Sequence, residues 1–294
     1  VRSTLLLIAA LLSLAQSPVF KADPPTKCDS CDDWNQPREP FRVFGNTYFV
    51  GTAGLTAVLV TSDEGHVLLD GGLTQSAPLI DASIRKLGFR TADVRLILNS
   101  HEHFDHAAGI ASLQRVSGAT VAASAEAARA LQLGASLPHD PQPTAAPFPP
   151  VKDVRVIVDG ETLRVGPLAP TAHFTPGHTP GATTWTWQSC EGSRCVNVVY
   201  ADSLSAVADD GFRFSGDGKR ASIVEVFRKS LATVEALPCD VLLVPHPFSI
   251  GMDDKLARWQ KDATVNPFID AGACRAYVAL QRKRLDERLA SEKP

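Results

Sequence analysis

The spacing of apolar residues changes period several times along the chain, and each change marks an expected element. Phe41 to Val50 and Leu55 to Thr61 alternate or run apolar with β-branched residues. Val67-Leu68-Leu69 runs into Asp70-Gly71-Gly72, so consecutive hairpin strands ending in a glycine turn are expected. From Ala77 to Leu87, the residues Leu79, Ile80, Ile84 and Leu87 fall at helical spacing. Val94 to Leu98 reads as a buried strand. A helical pattern begins at Ala107 to Leu113 and continues to Val116, and Ala119 to Ala123 and Ala125 to Leu133 follow as strand and helix. Such alternation belongs to α/β folds.

Gly134 to Pro150 interrupts the pattern with Pro138, Pro141, Pro143, Pro147, Pro149 and Pro150. It reads either as a linker or, preferably, as a long loop over an active site, because long ordered loops in compact domains are usually functional. His139 and Gln142 sit in it. The second half resumes with strand-like Val154 to Val158, Thr162 to Val165, Thr171 to Phe174, Thr183 to Trp187 and Val196 to Tyr200. Ile223 to Leu237 is an amphipathic helix with Val224, Phe227, Leu231 and Val234 on one face. Val241 to Val244 is a buried strand, and Cys274 to Glu292 a charged helix read as a solvated face. Before the first hairpin, Asp23 to Pro40 reads as a polar arm without regular structure.

The first stretch differs in kind. Arg2 precedes an apolar run from Leu5 to Leu14 that is short for a membrane span, as expected of a secretory signal peptide over residues 1–22, cut between Ser17 and Ala22. An uncleaved anchor is the alternative. Residues 23–294 then form the mature domain, with no membrane association after signal removal. A chain of 294 residues with 44% apolar content can bury a full core. Its net charge of −3 gives no reason to expect nucleic acid or an anionic membrane surface. Six cysteines form an even set, which in an exported chain implies disulfides. Cys190 and Cys195 flank a turn-like segment, which suits a hairpin staple. Cys239 and Cys274 would then tie a late strand to the C-terminal helix. Cys28-x-x-Cys31 is open between a tight bridge, an intermolecular link and half of a metal site.

Chemistry concentrates at His101-Glu102-His103-Phe104-Asp105-His106, on the expected strand-to-helix loop after Leu98. Imidazole and carboxylate suit zinc, and crowding them is costly unless they share a cation. Four donors within six positions cannot all converge on one tetrahedral point without backbone strain, so two adjacent ions are expected. His178 lies between Pro176-Gly177 and Pro180-Gly181, and His246 between Pro245 and Pro247. Both settings restrict the backbone and aim a single imidazole. Glu102 reads as a helix-entry or salt-bridging residue, and His139 as a solvated one.

Together these motifs resemble the metallo-β-lactamases over nearly the whole mature chain. The carriers are His101-x-His103-x-Asp105-His106, Gly177-His178-Thr179 and Pro245-His246-Pro247. The His101 to His106 segment with Ala107-Ala108-Gly109-Ile110, the Tyr200 to Ser205 segment and the two cysteine pairs are most similar to subclass B3. The resemblance implies a four-layer αβ/βα sandwich and two Zn2+ ions. It gives His101, His103 and His178 to the first ion and Asp105, His106 and His246 to the second. It places Ser203 and Ser205, with Gln142 from the loop, against substrate. Asp202 is weighed as a metal bridge and preferred as a residue supporting the ligands from behind or as a strand-end residue. Related chains bridge an N-terminal-arm Cys to the first hairpin, where Ala53 and Gly54 stand here, so that bridge is not carried over.

The implied function is hydrolysis of the β-lactam amide of small-molecule antibiotics, conferring resistance, by a monomer in the bacterial periplasm. A zinc-bound hydroxide would attack the carbonyl while Asp105 orients it. The alternatives are hydrolysis of another ester, lactone or thioester on the same fold, and a zinc-binding protein without turnover.

Overall fold

The structure, a computed structural model, describes residues 20–292. The expected signal peptide therefore falls almost wholly outside the described residues. A helical turn, α1 (Cys31–Trp34), precedes β1 (Phe41–Phe44), β2 (Thr47–Phe49), β3 (Val58–Val60) and β4 (His66–Leu69). Then follow α2 (Ala77–Lys86), β5 (Val94–Leu98), α3 (Phe104–Ala107), α4 (Ile110–Ser117), β6 (Thr120–Ala123), α5 (Ala125–Leu133) and β7 (Val154–Val156). The second half holds β8 (Thr171–Phe174), β9 (Thr183–Glu191), β10 (Arg194–Tyr200), α6 (Val224–Ala236), β11 (Val241–Leu243), α7 (Met252–Lys261) and α8 (Ala273–Ser291).

Strands β1 to β7 form one sheet in sequence order, antiparallel as far as β4 and parallel beyond it. The other sheet runs β11-β10-β9-β8, with only the β10–β11 pair parallel. Period-two alternation distributes the side chains: Val67 and Leu69 of β4 join Trp185, Tyr200 and Leu243 between the sheets, while Leu68 faces Ile80 and Ile110 of the outer helices. On the far side, Val199 and Leu242 meet Phe227 and Leu231 of α6 and Tyr277 and Leu285 of α8. These are the four layers of an αβ/βα sandwich. Because most strands are covered on both faces, they read as continuous apolar runs.

Several expected elements are corrected. Phe41 to Val50 is two strands, because Gly45 at φ +51° turns the chain. Thr162 to Val165 makes only isolated bridges, from Thr162 to Thr171 and Val165 to Leu168. The arm contains α1, and α7 was not anticipated, although Met252, Leu256 and Trp259 recur at i, i+4 and i+7 and pack against the inter-sheet core. Helix α8 is not merely a solvated face, since it buries Tyr277, Val278, Gln281 and Leu285.

The disulfides are Cys190–Cys195, directly opposed across the β9–β10 hairpin, Cys239–Cys274, and Cys28–Cys31. The last resolves the CxxC motif as a tight bridge. Among the described residues no helix is long and apolar enough to cross a membrane.

The turn after β4 is pressed against the α3–α4 junction. Gly71 N donates to His106 O (2.8 Å) and Gly109 N to Gly72 O (3.0 Å). A Cβ on Gly109 would stand 2.1 Å from the Gly71 carbonyl oxygen, so only glycine permits this approach. Gly109→Ala is expected to cost about 1–3 kcal/mol through overpacking, read as a lower urea midpoint at unchanged slope.

Candidate metal centre

The four donors of the His101 to His106 segment divide because the backbone changes conformation between them. His103 is extended (φ −72°, ψ 151°) and α3 begins at Phe104. His101 and His103 therefore project from extended chain, whereas Asp105 and His106 ride on the first helical turn. The cluster lies at strand ends of both sheets: β5 delivers it, β8 leads to His178, β10 to Asp202 and β11 to His246. Thr183 N donates to Ser100 O (2.7 Å), linking the edges directly.

The rings of His101, His103 and His178 stand 4.8–5.1 Å apart, centroid to centroid. Their donor nitrogens fall within the reach of one cation, as do donors of His101, Asp105 and His106. His246 Nε2 lies 3.3 Å from Asp105 Oδ2 and 3.4 Å from His106 Nε2, so it closes the second set from the opposite sheet. All these side chains except His246 are buried.

Outward contacts leave the other ring nitrogen of most imidazoles available. His103 Nε2 lies 3.1 Å from Asp140 Oδ1, His178 Nδ1 donates to Ser205 O (2.9 Å), and His246 Nδ1 donates to Gly54 O (3.2 Å). His101 Nδ1 has Ser100 Oγ at 3.2 Å and, out of hydrogen-bond alignment, Asp202 Oδ1 at 2.9 Å. Fixing one nitrogen and freeing the other is what orients a histidine ligand. His106 Nδ1 is the exception, buried without a hydrogen bond, 3.9 Å from Asp70 Oδ2.

Electrostatics favour cation binding. Burial, then the rings of His101 and His103, push His178 down to about 3. Burial and the neighbouring His106 and His103 hold His101 well below the usual imidazole range. Both rings are neutral and carry lone pairs at pH 7. Burial opposes ionisation of Asp105, but His106 and His246 outweigh it and hold the carboxyl well below its ordinary value. Burial also opposes protonation of His103 and His106, yet Asp140 and Asp105 respectively raise them, so metal binding there competes with protons. Three converging imidazoles, a second convergent set with an ionised carboxylate, and outward hydrogen bonds fit zinc.

Glu102 is neither a helix-entry nor a salt-bridging residue. Its buried carboxylate accepts from Thr179 Oγ1 (2.8 Å) and Gly181 N (2.9 Å), tying the cluster to the His178 turn. Burial, then the charge of Asp140, push it up to about 7. His139 is exposed beside Glu126, 3.1 Å away. Asp202 is fully buried behind His101.

A cleft of about 270 Å³ opens on the donors, lined by His103, Asp105, His178 and His246 together with Gln142, Ser203 and Ser205. The Ser203 hydroxyl is buried without a partner, whereas Ser205 Oγ lies 3.1 Å from His178 Nδ1. Other residues here escaped sequence reasoning. The Trp34 ring lies 5.2 Å from that of His246, tilted by 48°. Tyr277, Gln281 and Arg284 of α8 line the wall, and Arg284 makes no ion pair among the described residues. Their only sequence signal is i, i+4, i+7 spacing. Asp140 carried none.

Residues 50–188 match the metallo-beta-lactamase superfamily. The solved structure of Rm3 metallo-beta-lactamase is 53% identical, with a TM-score of 0.88, covering 92% of this chain and 100% of that one. The chain belongs to the metallo-β-lactamases. MEM-A1, a subclass B3 metallo-beta-lactamase from a soil metagenome library, is 49% identical with a TM-score of 0.85, covering 88% of this chain and 98% of its own. SMB-1, solved with 2-mercaptoethanesulfonate, is 46% identical with a TM-score of 0.85, covering 89% and 100% respectively. A hydroxyacylglutathione hydrolase of Methylobacterium nodulans is 28% identical over 61% of this chain. The chain spans 60% of the length of that curated relative.

In this metallo-β-lactamase, Glu102→Ala leaves Thr179 Oγ1 and Gly181 N without acceptors. The expected cost is about 1–3 kcal/mol of stability, with weaker metal retention on dialysis because the His178 turn is released.

Proposed function

We propose that this chain hydrolyses the β-lactam amide bond with two zinc ions. The carrying observation is the pair of convergent donor sets opening on one polar cleft, in a chain 53% identical to a named metallo-β-lactamase. His101, His103 and His178 would hold one ion, and Asp105, His106 and His246 the other. Bound zinc lowers the pKa of coordinated water toward about 7, polarises a carbonyl and neutralises developing negative charge. The protein's residues supply the rest. Ionised Asp105 accepts a hydrogen bond from the attacking water and orients it. The unpartnered Ser203 hydroxyl, with Ser205, donates to the substrate carboxylate, and exposed Arg284 adds a charge without a competing ion pair. Gln142 closes the cleft from the loop, while Trp34 and Phe248 offer apolar walls to the substituents.

Residues 1–22 act in this reading as a signal peptide. The disulfides Cys190–Cys195 and Cys239–Cys274 suit an oxidising compartment such as the periplasm. The curated relatives favour a second reading, hydrolysis of a glutathione thioester. That substrate occurs chiefly in reducing compartments, which the disulfides disfavour.

Purified protein with two zinc equivalents is expected to hydrolyse penicillin, cephalosporin or carbapenem, to lose turnover on chelation and to leave a glutathione thioester intact. Full metal loading without β-lactam turnover overturns the assignment. His246→Ala is expected to lower bound zinc from two equivalents toward one, and simultaneous loss of both contradicts the division of ligands. Arg284→Glu is expected to raise KM for anionic β-lactams about tenfold, equivalent to about 1.4 kcal/mol, with a smaller effect on kcat.

A further inference from the structure

The loop from Gly134 to Pro150 carries one fully buried carboxylate, Asp140. Its Oδ1 accepts the backbone N–H of Gln142 (2.7 Å) and lies 3.1 Å from His103 Nε2. A single oxygen thus touches a metal-site imidazole on one side and, on the other, the backbone of a residue in the cleft wall. Asp140 N donates to Leu137 O (2.9 Å), which holds the carboxylate in place. Further along, the loop is anchored through a different partner: Asp209 N donates to Pro141 O (2.9 Å), and Thr144 N to Asp209 Oδ2 (2.9 Å). Asp140 is therefore the direct link between loop and donors.

Occupation of Nε2 by a carboxylate places the His103 proton there and leaves Nδ1 with its lone pair. It also makes the ring a better base and a better ligand. The carboxyl group is only half satisfied, since Oδ1 makes both contacts while the buried Oδ2 has no hydrogen-bond partner. Its environment improves when the imidazole it faces is fixed by a cation. Linkage then runs both ways: whatever the loop contributes to metal affinity, the metal returns to loop order.

We propose that Asp140 is a positioning residue that couples metal occupancy at His103 to the order of the loop carrying Gln142. The proposal rests on His103 holding a metal, and its test uses zinc alone, so it stands or falls apart from β-lactam turnover. Asp140→Ala and Asp140→Asn are compared with the unaltered protein by competition with a chromophoric zinc chelator and by amide hydrogen exchange over residues 134–150. Exchange in β5 reports whether each variant is folded.

Asp140→Ala is expected to weaken one of the two zinc equivalents about 10- to 100-fold. Asp140→Asn keeps an acceptor without the charge and is expected to fall in between. In the unaltered protein, chelation is expected to speed exchange at Gln142, while in Asp140→Ala that exchange is already fast and insensitive to zinc. Should Asp140→Ala fail to fold, Asp140→Asn carries the same two readouts. Zinc affinity unchanged in the folded variants, or zinc slowing loop exchange equally in all three proteins, overturns the coupling.

Discussion

The site depends on one buried carboxylate beneath the histidines. Asp70 accepts from Ser100 N (2.7 Å), Ser100 Oγ (2.7 Å), Asn99 Nδ2 (3.2 Å) and Tyr200 OH (2.6 Å). It thereby binds the end of β4 to the end of β5 in its own sheet and to the end of β10 in the other. Its backbone sits at φ +60°, a conformation a non-glycine residue holds only where the surroundings impose it. Those three strand ends support His101 to His106 and the Asp202 to Ser205 segment. The relative placement of the donor sets therefore follows from satisfying one desolvated carboxyl group, which must be hydrogen-bonded to be tolerated in the interior.

The histidines were legible in the sequence because their chemistry is written locally. Four donors crowd into six residues, and His178 sits between two Pro-Gly pairs and His246 between two prolines. Strands covered on both faces were legible as apolar runs, and the major helices by their period. What could not be read depends on residues far apart in the chain. Asp140 meets His103 across 37 positions and Asp70 meets Tyr200 across 130. Local signals also misled where one residue type serves two roles. The charged surface of α8 hid the face carrying Tyr277, Gln281 and Arg284, and Glu102 resembled a cap when it is a tether to the His178 turn.

Helix α8 also shows how a structural staple bears on the cleft. The Cys239–Cys274 bridge fixes its N-terminal turn beside β11. One turn on, Tyr277 OH donates to the carbonyls of Asp202 and Ser203. That contact holds a segment in which Leu204 has φ +45° and presents the unpartnered Ser203 hydroxyl to the cleft. The bridge thus helps hold the cleft-lining serines although it lies outside the donor sets.

A parallel arrangement supports the opposite wall. The Cys28–Cys31 bridge closes the turn leading into α1, where Cys31 packs with Leu55, Leu73 and Trp34. Trp34 lies against Gly54, whose absent Cβ would come within 2.6 Å of it. The Gly54 carbonyl in turn accepts from His246 Nδ1, and the indole covers the same imidazole. His246 is the least buried donor, and it is held from outside the two sheets by the N-terminal arm. The first donor set is thus supported by strand ends and the Asp140 loop, and the second in part by a short disulfide-closed turn, so the two donor sets rest on different scaffolds.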